Sequence, residues 1–258
     1  MRRAENRTLP AVLVHGLIGT LDDQDLVRHF WPRPILAPDL LGYGTYVRTP
    51  LTGIGLGAQV DHLQRQLDDA GLERVHLVGH SVGGAVAALF ADQYPGRAAS
   101  LVSVEGNFSL ADAFWSSSVA AMTVGKVEEM LSGQRADPAG WLRDAGVVPE
   151  SGRLALARRW LDQQPASTVH AMARAVVETT GQPAYERMLR RVFDRTPVYL
   201  VSGERSRDAW HVPTWALTKA RSLTVIADAG HLVMIEAPQR FGETISLLLA
   251  DAESRLAT

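Results

Sequence analysis

The 258-residue chain has no cysteine. That excludes a thiol nucleophile, disulfide staples and thiolate metal sites. It also lacks any run near the roughly 18 apolar residues that a membrane helix needs. The longest apolar stretch, residues 85–90, reads as a buried helix face. Neither sign of charge dominates: 26 Lys and Arg face 28 Asp and Glu, a net charge of −2. No polyanion partner such as nucleic acid is implied. No export signal is expected either. Arg2 and Arg3 precede an apolar run over residues 9–14, but His15 and Gly16 cut that run short, and no small-residue cleavage site follows. The run reads as a first strand, and a cytoplasmic protein without a membrane partner is the expectation. What the chain does have is an ordinary globular balance, 46% hydrophobic and 21% charged residues. A chain of this length buries a sizeable core unaided.

Short apolar segments alternate with helical periodicity. Residues 11–14, 34–37, 75–78, 101–104, 198–201 and 223–227 read as strands bounded by turn residues. Helices are expected over 22–30, 58–70, 82–93 and 238–252. Short apolar strands separated by helices imply a parallel sheet covered on both faces. Residues 108–196 break the rhythm. They hold no convincing strand, only helical patterns near 109–121, 124–132, 138–144, 152–163, 166–179 and 183–193. The expected organisation is a core of residues 1–107 and 197–258 with a helical cap inserted over 108–196. No repeat or low-complexity segment is present.

Three motifs carry chemistry. Gly79-His80-Ser81-Val82-Gly83-Gly84 follows one strand and opens one helix. Gly-x-Ser-x-Gly in that setting is a nucleophile elbow: a sharp turn exposes the Ser81 hydroxyl beside the free N–H groups of a helix start. The competing reading is a glycine-rich turn with a capping serine. His15-Gly16-Leu17 follows the first strand. An acyl-transfer oxyanion needs two aimed donors, and the backbone N–H groups of Leu17 and Val82 are the candidates. His15 itself reads as structural support for that loop. Gly230-His231 follows the last strand, where a general base for Ser81 belongs. The other histidines read as structural or surface residues, with His80 packed at the elbow.

These segments, with Asp39 to Gly44 between them and Glu236-Ala237-Pro238 after them, resemble the α/β-hydrolase superfamily in the family's order and across essentially the whole chain. The resemblance implies an α/β-hydrolase fold, with helices on both faces of a mostly parallel sheet and a helical cap. With so few residues before His15, the family's first two strands look absent, leaving about six. The resemblance also locates the acid. The family's usual position, three residues past the Gly203 that ends a strand, is Ser206, which holds no charge. Some relatives place a Glu at the end of the strand before the cap, and here that residue is Glu105. A carboxylate at a buried strand tip is costly unless paired, and the His231 N–H would pair it. Asp208 is the alternative acid. Asp39 reads as structural, and Asp228 lies too close in sequence to His231.

The same resemblance prunes the chemistry. Dehalogenases and epoxide hydrolases use an Asp nucleophile where this chain has Ser81, and Val82 and Leu17 replace the residues of a halide pocket. Serine chemistry points to an acyl carbon, with no cofactor and no metal. The expected substrate is a small, mostly apolar ester or lactone. Thioester hydrolysis, C–C bond hydrolysis and a non-catalytic ligand-binding role are the alternatives. Asn107, Phe108, Trp115 and Leu232 are the expected substrate contacts. The more distant Trp141 and Trp160 read as cap core. The cap arginines, such as Arg158, Arg159, Arg190 and Arg191, read as a solvated face; the alternative has one of them hold a substrate carboxylate.

Overall fold

The computed structural model describes residues 8–256. Six strands form one parallel sheet: β1 (Ala11–Val14), β2 (Ile35–Leu36), β3 (Val75–His80), β4 (Ala98–Val104), β5 (Val198–Gly203) and β6 (Ser222–Ile226). Their spatial order is β2-β1-β3-β4-β5-β6. Arg2 and Arg3 lie outside the described residues. The inner strands β1, β3, β4 and β5 are buried along their whole length. This is why they read as continuous apolar runs rather than alternating ones. Edge strand β2 is only two residues long, which limits the unpaired backbone it offers to other chains.

Side chains alternate between two cores. Val12, Val14, Leu77, Leu101 and Leu200 face one way, against Leu63 and Leu67 of α2 (Leu56–Asp69) and Val86 and Phe90 of α3 (Val82–Gln93). Leu13, Val102, Tyr199 and Val201 face the other way, against Phe241, Ile245 and Leu249. Those last three belong to the terminal helix, Pro238–Leu256. The order reverses direction beside β1, where β2 lies on one side and β3 on the other. Such a switch point leaves a crevice at the strand tips, and the loops after β1 and β3 border it.

Between β4 and β5 the chain forms helices only: Phe114–Ala120, Val124–Ala136, Pro138–Asp144, Ser151–Leu161, Ala166–Thr180 and Pro183–Arg195, labelled α4 to α9. The first is shorter than its periodicity suggests. Asp112 accepts hydrogen bonds from the Phe108 and Ser109 N–H groups and holds the preceding residues in a turn. Helix α9 packs on α3, and its Arg191 and Arg195 pair with Asp92 near the end of that helix. Helix α9 therefore stands in the layer that covers the sheet, whereas α4, α5 and α8 pack chiefly on one another. Two short helices, Thr214–Lys219 and Val233–Glu236, are not evident from sequence periodicity. Among the described residues, no helix is long and apolar enough to cross a membrane.

Candidate active site

Ser81 sits between the last residue of β3 and the first of α3 with φ +52° and ψ −121°. A non-glycine residue held there is strained. The surrounding backbone enforces it: the Ser81 N–H bonds the Val104 carbonyl at 2.9 Å, and its carbonyl accepts from the Gly84 N–H at 2.8 Å. The turn is tight enough that a methyl group on Gly79 would strike the Gly83 backbone, and one on Gly83 would strike the Val14 and His15 carbonyls. The motif's glycines are thus required by close approach.

Glu105 occupies the tip of β4, also at positive φ (+45°), its N–H held by the Val201 carbonyl at 3.0 Å. It is 6% exposed. One carboxylate oxygen accepts from His231 Nδ1 at 2.7 Å. The other accepts from the Gly203 N–H at 2.8 Å and from the Ser206 hydroxyl. Burial alone would raise this carboxyl's pKa. The bonds from His231, Ser206 and Gly203 outweigh burial and hold it below the ordinary carboxylate value. The Glu105 bond fixes the proton of His231 on Nδ1 and leaves Nε2 to accept one.

The loop bearing His231 is fastened from several sides. His80 Nε2 donates to the His231 carbonyl at 3.0 Å, and the two rings lie 4.7 Å apart. Burial drives the His80 pKa down to about 3, so it is a neutral donor. Glu236 accepts from the Gly230 N–H at 2.7 Å and pairs with Arg205, which also binds the Asp228 carbonyl at 2.6 Å. On the opposite side, His15 Nε2 accepts from the Leu40 N–H at 3.1 Å while Nδ1 donates to the Gly16 carbonyl at 2.9 Å. Burial takes its pKa down to about 4. The Tyr43 hydroxyl donates to the Leu17 carbonyl at 3.0 Å and so fixes the Leu17–Ile18 peptide, while the His15 bond to the Gly16 carbonyl holds the preceding peptide that carries the Leu17 N–H. His15 is therefore a brace, as expected.

Ser81, His231 and Glu105 line one cavity of about 390 Å³ together with Gly16, Leu17 and Leu232. Asn107 and Trp115 stand on its wall. Phe108 does not. It is buried against Phe193 and Trp210, ring centroids 6.0 and 5.9 Å away, because the Asp112-held turn directs the chain there. Trp160 is packed in the core and Trp141 lies half-buried against it, and both also line the cavity, as do Trp210, Gln134 and Asp112. Asp208 is exposed on a short turn after β5, without a bond to His231. Asp39 bonds the Thr45 N–H at 2.9 Å and is structural. The cap arginines pair at the surface: Arg159 with Asp23, Arg190 with Glu186, Arg191 with Asp92. None of them lines the cavity. Ser206 is the residue whose role sequence reasoning missed, although it stands at the family's acid position.

Residues 11–244 match the profile of the Alpha/beta hydrolase family. The 2-hydroxy-6-oxo-2,4-heptadienoate hydrolase of Pseudomonas putida is 37% identical over 114 residues, a match covering 40% of this chain and 40% of that protein. A carboxylesterase structure from Nitrososphaera gargenis superposes with a TM-score of 0.70 at 17% identity, covering 97% of this chain and 93% of the other. An esterase structure from Thermogutta terrifontis gives 0.69 at 22% identity, covering 95% and 90%. At such identities the structural likeness concerns the fold. With the family profile running from the first strand into the last helix, this chain belongs to the alpha/beta hydrolase family.

Proposed function

We propose that the protein is a serine hydrolase that cleaves a carboxylic ester or lactone through an acyl-enzyme, with Ser81, His231 and Glu105 as its triad. The 2.7 Å bond between His231 Nδ1 and a buried Glu105, on the cavity that Ser81 lines, is the observation that carries this. Ser81 Oγ attacks the carbonyl carbon as His231 Nε2 takes its proton. The N–H groups of Leu17 and Val82 stabilise the tetrahedral oxyanion. The intermediate collapses, the C–O bond breaks, and the leaving alkoxide takes the proton back from His231. Water, deprotonated by the same imidazole, then attacks the acyl-enzyme and releases the acid and free Ser81. Helices α4 to α8 act as the lid that shapes the acyl site, with Asn107, Trp115 and Leu232 among its contacts.

C–C bond hydrolysis is the second reading, favoured by the Pseudomonas putida relative. The substrate in that relative's name is an anion, and no lysine or arginine lines this cavity among the described residues. The ester reading is the better supported of the two. A fluorophosphonate should label Ser81 at neutral pH, and a panel of p-nitrophenyl esters and lactones should be turned over. Absence of both would remove the assignment. Turnover of a dienoate in preference to every ester would install the second reading.

A further inference from the structure

The cavity wall has an uneven chemistry. Among the described residues its ionisable side chains are Glu105, Asp112, Asp144, His80 and His231, with no lysine or arginine. Glu105 is engaged by His231 and Asp112 by backbone N–H groups, but Asp144 has no ion-pair or hydrogen-bond partner. It stands three residues after Trp141 in α6, so both share one helix face and both line the cavity. Two more acceptors are unpaired there. The Asn107 side-chain oxygen, on a residue 6% exposed, has no donor, and neither has that of Gln134. Buried acceptors without partners are costly unless a ligand supplies the donor. The nearby guanidinium of Arg205 is occupied by Glu236 and by the Asp228 and Gly146 carbonyls. Burial also holds the Asp112 carboxyl above its ordinary value, outweighing the Phe108, His211 and Ser109 N–H groups and the His211 ring.

The wall also holds one unpaired neutral donor, the Trp160 indole N–H, but the two unpaired acceptors, the Asp144 carboxylate and the Trp141 indole together favour a protonated amine, which brings N–H donors and a charge attracted to aromatic faces. We propose that this cavity selects substrates by charge: it takes esters whose remote end is a protonated amine and discriminates against otherwise matched esters ending in a carboxylate. The selection rests on the Ser81 reading above. It extends that reading by naming the substrate group that meets Trp141 and Asp144.

The test uses three p-nitrophenyl esters of equal chain length, ending in ammonium, methyl or carboxylate. At low ionic strength kcat/KM for the ammonium ester should exceed that for the carboxylate ester by about a hundredfold, and added salt should compress the ratio. Asp144→Asn should reduce the ratio by roughly tenfold; the residue is exposed, so the fold should be kept, and an unchanged thermal melt checks this. In parallel, hexylamine and hexanoate are titrated into the intact protein and followed by tryptophan fluorescence. Hexylamine should bind more tightly. Carboxylate and ammonium esters cleaved alike, or hexanoate bound as tightly as hexylamine, would overturn the charge selection. Failure of all three esters with no fluorophosphonate label on Ser81 would instead overturn the hydrolase reading, and the amine titration would still decide the charge selection.

Discussion

Glu105 accepts from three partners at once, and they do not contribute equally. His231 is the proposed base, so Glu105→Gln, which cannot hold the Nδ1 proton as a carboxylate does, should lower kcat by about 10³–10⁴-fold with little change in KM. Asp208→Asn should leave kcat within about twofold, since that side chain is exposed and apart from the triad. Steady-state kinetics on the two variants decides between them, and the reverse outcome would move the acid to the loop after β5. Ser206 donates to the carboxylate oxygen that His231 does not use. Ser206→Ala should therefore cost only about three- to tenfold in kcat, the size of one hydrogen bond to a charged group. Ser81 and His231 could be picked out as candidates because each follows a strand in a motif marked by glycine, whereas Glu105 came forward only through the family resemblance, with Asp208 beside it as an alternative. The places of Phe108 and Trp160 were not legible: only the packing of helices decides which ring faces the cavity, and that packing leaves no periodic trace.

At the level of elements, the glycines separate two kinds of constraint. Gly83 begins α3 under the loop after β1, where a methyl group would meet the Val14 and His15 carbonyls. Gly83→Ala should destabilise by about 2 kcal/mol or more and displace the elbow, so Tm and activity fall together. Gly71 ends α2 at φ +66° with open space around it. Gly71→Ala should cost only about 1 kcal/mol, from backbone conformation alone, and spare activity. Differential scanning calorimetry with a parallel ester assay separates the two. The strands were readable in sequence because each inner one is buried on both faces and so continuously apolar. The helices between β4 and β5 were readable as helices, but not in their arrangement. That α9 joins the layer on α3 follows from ion pairs to Asp92, which lies about a hundred residues away in sequence.

For the molecule as a whole, buried imidazoles set the response to acid. Burial lowers His15 and His76 to about 4 and His80 to about 3. Unfolded, each takes its proton near 6.5. The folded state thus binds fewer protons between those values, and stability is greatest above about pH 6.5 and falls as pH drops towards 4. Each imidazole contributes roughly 1 kcal/mol per pH unit in that window. Carboxyls held low, Glu105 and Glu253, add to the loss once the pH reaches their range. Urea unfolding measured from pH 7 to 4 should show this slope, and a flat profile would mean the histidines are not buried as described. The same geometry has an evolutionary corollary. The chain leaves the sheet at Glu105, re-enters it at Val198, at the other end of the strands, and runs parallel to β4 as far as Gly203, whose N–H donates to Glu105. The carboxylate is thus moored to the strand beside it and not to the intervening helices, so substitutions among those helices can reshape the cavity wall while Glu105 keeps its place.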